Sequence, residues 1–310
     1  MQLFLSMSLD LLRLVIHRMP FYLLVCLWSG ALQAEQSTPP VLQVSYPHVY
    51  SDPVYRDISD YIHNLLDLIL SKSGVPYEIT DVTVPPVPTS RTIMYLNAGR
   101  FNVAWGHTNA QIEQQLTPIR IPIFRGLGGW RLMFVRTEDT RTSSITKLAQ
   151  LKKLVVGQGH DWPDTDILAA NGFSVRTAIA RDNLFQLLKH DRIDAFPRGV
   201  TEIWDESLLP QAAGLRIEEH LVLRYPTAFY LFLKKDETKL AGVLTDGFEQ
   251  AVADGSFRQL FLDWKGDIFE RAQLDKRLII EIGNPLLSPE TPLQRNELWF
   301  HMSDLKYLKR

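Results

Sequence analysis

Two short stretches, one in each half of the chain, share a layout that restricts what the chain can fold into. In Asn97–Asn109 (Asn-Ala-Gly-Arg-Phe-Asn-Val-Ala-Trp-Gly-His-Thr-Asn), Gly99 stands where a helix stops in a left-handed conformation. Phe101, Val103 and Trp105 then alternate with Asn102 and Ala104, the period of a buried strand, and a polar tip follows with Trp105, His107 and Thr108. The pattern returns in Leu187–Gly199: a helix end, a charged turn, a short strand with Ile193, Ala195 and Phe196, and a tip at Pro197-Arg198-Gly199. One unit per half predicts two similar lobes that present strand ends to a shared cleft.

The order of elements supports this. Val41–Tyr46 reads as a strand, followed by an aromatic loop with His48, Tyr50 and Tyr55. Asp57–Ser71 carries a helical stripe (Ile58, Tyr61, Ile62, Leu65, Leu66, Ile69) and ends before Gly74. Tyr77–Val82 is a second strand, Pro85–Pro88 a stiff loop, and Ser90 can cap a helix over Arg91–Ala98. This β-α-β-α-β rhythm implies an α/β fold with parallel strands and helices on their faces. Ligands of such sheets sit beyond the carboxyl ends of the strands. Trp130–Arg136 and Thr227–Lys234 read as the two strands that cross between lobes, and Trp130 as hinge packing. Between them, Gly157–Asp164 is a polar loop entering a helix, and Asp182 can cap another over Asn183–His190. Thr238–Ala253 is an amphipathic helix and Phe257–Trp264 a last core helix. The lobes would span 35–132 with a return over 225–265, and 133–224; residues 266–310 form a C-terminal extension.

Composition excludes several classes. A formal charge of −2 over 310 residues gives no basic face for nucleic acid. The single cysteine, Cys26, permits neither an internal disulfide nor a cysteine-based metal site. Arg13 and Arg18 precede the apolar run Phe21–Gly30, and Ala31-Leu32-Gln33-Ala34 follows. That is the layout of a secretory signal peptide over residues 1–34, and the apolar run is shorter than the ~20 residues of a membrane span.

These features together resemble the type II periplasmic solute-binding proteins, in particular the branch with the polar amino-acid receptors of ABC importers. Leu96–Ala104 is similar to the family's Leu-x-x-Gly-Arg-x-Asp segment, Leu151–Gly159 to its second-lobe opening strand and glycine turn, His190–Ala195 to its Arg-x-Asp-Ala segment, and Gln250–Phe257 to its helix-Asp-Gly turn. The resemblance covers roughly residues 41–265. It implies a two-lobed periplasmic-binding-protein fold whose lobes close on a solute, with a periplasmic location and a membrane partner. The chain departs from the pattern at the binding positions. Thr108–Gln115 holds no arginine for a ligand carboxylate, and the second-lobe tip carries Arg198 in place of an acidic residue.

The candidate ligand-binding residues follow from the strand ends. Arg198 offers a planar donor fork for an anion; a structural pair with Glu202 or Asp205 is the alternative. Trp105 and Trp162, with Tyr46 or Tyr50, can wall an aromatic cleft, or else pack in the core. His107 and Thr108 sit at the first tip. Asp161 can meet a cationic group or, like Asp164, cap the helix that follows. Arg91 faces either the cleft or solvent. His107 and His160, without a third partner, do not form a metal site, and no cofactor is called for. The expectation is a monomeric, non-enzymatic receptor for a small polar solute, anionic or amino-acid-like, that serves an ABC permease. The solute would be anionic toward the second lobe and flat or apolar toward the first. The alternatives are a ligand-sensing subunit for a membrane signalling protein, with the 266–310 extension as docking element, and a dehydratase-like enzyme using His107 or His160 with Asp161.

Overall fold

The computed structural model describes residues 41–307; the segment read as a signal peptide, with Cys26, lies outside them. Strands β1 (Leu42–His48) and β2 (Tyr77–Thr83) pair in parallel, Leu42 opposite Tyr77. Parallel neighbours need a crossover, and helix α1 (Pro53–Lys72) supplies it. It begins before its apolar stripe does. Asp52 accepts the N–H groups of Val54 and Tyr55, and Pro53 suits the first helical position. Tyr55 is therefore helical. Helix α2 (Thr89–Asn97) follows Pro88 with no side-chain cap, so Ser90 lies inside it. It ends before Gly99 at φ 73°.

Strand β3 (Ala104–His107) starts later than the alternation suggests, so Trp105 and His107 belong to the strand itself. Helix α3 (Ala110–Gln115) leads into β4 (Leu116–Ile119). Both β3 and β4 pair antiparallel with the returning strand β11 (Phe229–Lys234), with His107 opposite Phe229 and Ile119 opposite Leu231. The N–H groups of Asn102 and Val103 bond to the Ser45 carbonyl, which ties this sheet to β1. Helices α8 (Thr238–Ala253) and α9 (Ser256–Lys265) complete this lobe. Helix α8 packs so closely on α1 that a Cβ on Gly247 would overlap the Ile69 carbonyl.

The other lobe is built on β5 (Trp130–Arg136), with β8 (Phe196–Gly199), β9 (Leu215–Ile217) and β10 (Leu221–Arg224) antiparallel to it. Strands β6 (Val155–Gly159) and β7 (Ser174–Ala178) pair in parallel, and a bridge from Val156 to Ala195 joins them to the chain entering β8. Helix α4 (Leu148–Leu151) precedes β6, and α5 (Pro163–Ala170), α6 (Arg181–Lys189) and α7 (Ile203–Ser207) fill the remaining connections. Asp182 lies in the first turn of α6 and does not cap it.

Strands β5 and β11, read from the sequence as strands that cross between lobes, instead each pair within one sheet, β5 with β8, β9 and β10 and β11 with β3 and β4; residues 120–129 and 225–228, which lead into them, carry no strand. Where these two crossings meet, the Tyr225 N–H donates to the Gly129 carbonyl at 3.1 Å. A Cβ on Gly129 would overlap the Tyr225 carbonyl, so only glycine allows this approach. Trp130 is buried beside it, with Arg224 over its ring at 4.9 Å. After α10 (Asp267–Ala272), strand β12 (Leu278–Glu281) adds to the free edge of β10 in parallel. The extension then runs back to the first lobe, where Leu298 and Phe300 are buried. Among the described residues no helix is long and apolar enough to cross a membrane.

Candidate functional site

A cavity of about 160 Å³ lies between the lobes. Lobe 1 contributes Trp105, Gly106 and His107 from β3, Tyr55 and Ile58 from α1, and the proline-rich segment 84–88. Lobe 2 contributes Arg131 at the start of β5, Trp162, Pro163 and Asp164 where α5 begins, Arg198 in β8 and Glu202 after it. The strand ends thus converge, as the repeated layout predicts.

The charged groups form a chain across the cavity. Arg131, 1% exposed, donates from Nη2 to Asp164 Oδ1 at 2.6 Å. Tyr225 donates to the same oxygen, and His107 Nε2 lies 3.3 Å from Asp164 Oδ2. Burial penalises the Asp164 carboxylate, but Arg131 and His107 outweigh it and hold its pKa below the usual range. Burial drives His107 down from 6.5 to about 4 despite the facing carboxylate. The imidazole is therefore neutral at neutral pH. Arg131 Nη1 reaches Glu202 Oε2 at 3.7 Å, and Arg198 Nη2 reaches the same oxygen at 3.2 Å. Burial opposes the Glu202 charge, and Arg198 and Arg131 overcome it and lower its pKa.

Arg198 is not an open fork. Its Nε and Nη2 both donate to Glu206 at 2.7 Å, and its guanidinium lies 4.5 Å from the centre of the Trp162 ring. The partners are Glu206 and Glu202; Asp205 is engaged by Lys265 at 2.6 Å. The network continues through Arg181, 3.6 Å from Glu206, to Asp52 of lobe 1 at 2.7 Å. Three guanidinium groups, Arg131, Arg181 and Arg198, thus face five carboxylates, Asp52, Asp164, Asp182, Glu202 and Glu206. Arg131 Nε and Trp105 Nε1 are buried donors with no partner among the described residues.

The predicted residues separate into two groups. Trp105, His107, Trp162 and Arg198 line the cavity. The other four lie outside its lining. Tyr46 is buried at 1% exposure with its hydroxyl 3.2 Å from His63 Nδ1. Tyr50 points to the surface, donates to Asp81 at 2.8 Å and stacks on His48. Thr108 donates to Glu113 at 2.6 Å. Asp161 is half-buried outside the cavity, and His160 and Arg91 are exposed. Tyr55, Arg131, Asp164 and Glu202 also line the cavity, and the sequence pattern alone does not mark them as ligand contacts. Arg131 had a detectable signal: it is the only charge in the otherwise apolar run Trp130–Val135. No group of three or more potential metal ligands occurs among the described residues.

No protein-family model and no curated protein matches this sequence. Solved structures do. An ancestral arginine-binding protein bound to arginine is similar at 17% identity and a TM-score of 0.52, over 72% of this chain and 97% of that one. A periplasmic binding protein of Salmonella typhimurium with high arginine specificity is similar at 15% identity and 0.52, over 72% and 99%. A histidine kinase sensor domain with similarity to periplasmic binding proteins is similar at 14% identity and 0.51, over 74% and 97%. Two lobes, two touching crossings and a cavity at the facing strand ends complete the same arrangement, and the chain has the two-lobed type II periplasmic-binding-protein fold.

Proposed function

We propose that this protein captures a small zwitterionic, amino-acid-like solute between its lobes and performs no chemistry on it. The observation that carries this is the ion network at the cavity wall, which offers both signs of charge. Arg131 and Arg198, which line the cavity, supply positive charge toward a carboxylate. An ammonium group can reach Glu202, which lines the cavity. The three guanidinium groups are already matched by the carboxylates around them and leave no net positive charge for a purely anionic ligand, so a zwitterion fits better. The names of the similar structures, arginine receptors among them, support the same class. The neutral His107 beside Asp164 serves as a fixed polar wall.

The N-terminal sequence supports export, and hinge closure over the solute would present a joined surface of both lobes to an ABC permease. Similarity to a kinase sensor domain supports a second reading, in which that surface contacts a membrane signalling protein. Titration calorimetry of residues 35–310 with arginine, glutamine, glutamate and lysine, paired with small-angle scattering, tests capture. The expected result is saturable binding with a smaller radius of gyration. Absence of binding and of compaction with all zwitterions would overturn it. Deleting the gene and testing growth on the bound solute as nitrogen source separates import, where growth is lost, from sensing, where it persists.

A further inference from the structure

We infer that the ligand is amphipathic, with a polar head at the interlobe end of the cavity and an apolar chain or ring of several carbons housed inside lobe 1. This rests on the reading of the cavity as a capture site and names the solute class it selects. The cavity is sharply divided in chemistry. Its charged lining residues, Arg131, Asp164, Arg198 and Glu202, all come from lobe 2. The lobe 1 lining includes the apolar side chains of Val84, Ile93, Ala104, Ile112, Leu116 and Phe232. Five of these are buried and belong to one apolar cluster, with Ile93 packed against it.

Protein cores are packed to crystal density and leave few spaces larger than a water molecule. A space lined by aliphatic and aromatic carbon also holds water poorly, because water there lacks polar partners. Such a space inside a core cluster needs walls that resist collapse. Pro85, Pro86 and Pro88 fix φ along one side, and the Val84 N–H, bonded to the His48 carbonyl at 3.0 Å, anchors that segment to the end of β1. On β3, small Ala104 faces Phe232 in register and leaves the room. Thr89 and Thr92 are also in the lining, yet no charged residue of lobe 1 joins them. A solute that is polar throughout would leave this end empty, whereas one with an alkyl or aromatic tail removes apolar surface from water on both sides.

The test is calorimetry with L-alanine, L-norvaline, L-norleucine and L-2-aminooctanoate, with arginine and glutamate as polar-tailed comparators. Affinity is expected to rise about fourfold per added methylene. Ala104→Leu, which fills the apolar end, should reduce the norleucine-to-alanine affinity ratio toward one. Thr92→Trp, at a half-buried lining position, makes the same check should Ala104→Leu fail to fold. A flat chain-length series, or tighter binding of arginine and glutamate than of norleucine, would overturn the apolar subsite while leaving capture of a zwitterion standing. Failure of every compound to bind would overturn both. An unchanged ratio in both variants would also overturn the subsite.

Discussion

Arg131 shows how a single residue sets the character of the cleft. Its guanidinium is buried and faces Asp164, Glu202 and His107. Arg131→Met removes one partner of a buried pair, a change that costs about 3–5 kcal/mol because the remaining charge is left uncompensated. Urea denaturation should show that loss, and Arg131→Met combined with Asp164→Leu should recover part of it in a double-mutant cycle. Additive losses would mean that the two side chains are not coupled. His107 gives a second prediction. Its pKa is lowered in the folded state, so between about 4 and 6.5 the unfolded chain binds the extra proton. Stability should therefore fall as pH drops through that window, by up to about 3 kcal/mol from this residue. His107→Gln should flatten that part of the stability profile, and an unchanged slope would show that His107 is not held neutral by burial.

At the scale of elements, much was legible in the sequence, and what was missed has a physical pattern. Trp130–Arg136 and Thr238–Ala253 match the observed strand and helix, because a dense apolar run and a long 3.6-residue stripe are purely local signals. The start of α1 was missed because its cap, Asp52, sits in a segment dominated by aromatic side chains. The tips of β3 and β8 were legible as cleft walls, since fold topology puts strand ends there. The ion network was not. Asp164 and Arg131 are 33 positions apart, and no local pattern announces which buried charges meet. The engagement of Arg198 depends likewise on α7 folding Glu206 back beneath it. Asp52 joins both levels: Oδ1 caps α1, and Oδ2 holds Arg181 of the opposite lobe. Asp52→Ser retains a capping oxygen and drops the charge, whereas Asp52→Ala loses both. The serine variant should stay within a few tenths of a kcal/mol of the cap's contribution, and the alanine variant should lose about 1 kcal/mol from the cap. Both should release bound solute faster in stopped-flow measurements, because each lacks the contact between lobes. Equal release rates in all three proteins would remove Asp52–Arg181 as a latch.

Across the whole molecule, the C-terminal extension acts as a third connection between lobes. It leaves lobe 2 as the edge strand β12, and Gly283 accepts from the Asn171 side chain. Asn284 then bonds to the Pro226 carbonyl in the second crossing, and the Leu286 carbonyl accepts from the Ala110 N–H of lobe 1. Farther on, Phe300 stacks on Phe269 at 4.6 Å and meets the edge of Trp130 at 5.8 Å. The buried Arg125, in the first crossing, bonds to Asp304 and to the carbonyls of Glu297 and Trp299. Its backbone is left-handed at φ 49°, a conformation uncommon outside glycine, and these contacts hold it there. An element so placed does two separable things: it fills core beside the first crossing, and it tethers the lobes across the second. Phe300→Ala probes the first and should cost about 3–5 kcal/mol as a buried aromatic truncation. Asn284→Gly probes the second, since it removes the bonds to the Pro226 carbonyl and from the Leu286 N–H while leaving the buried aromatic contacts in place. That variant should keep most of its thermal stability and show a larger radius of gyration without solute. If Phe300→Ala is neutral and Asn284→Gly leaves the scattering unchanged, the extension neither supports nor restrains the hinge. Docking of the extension to a membrane partner would then regain force, because its contacts with the lobes would carry no free energy that binding elsewhere had to replace.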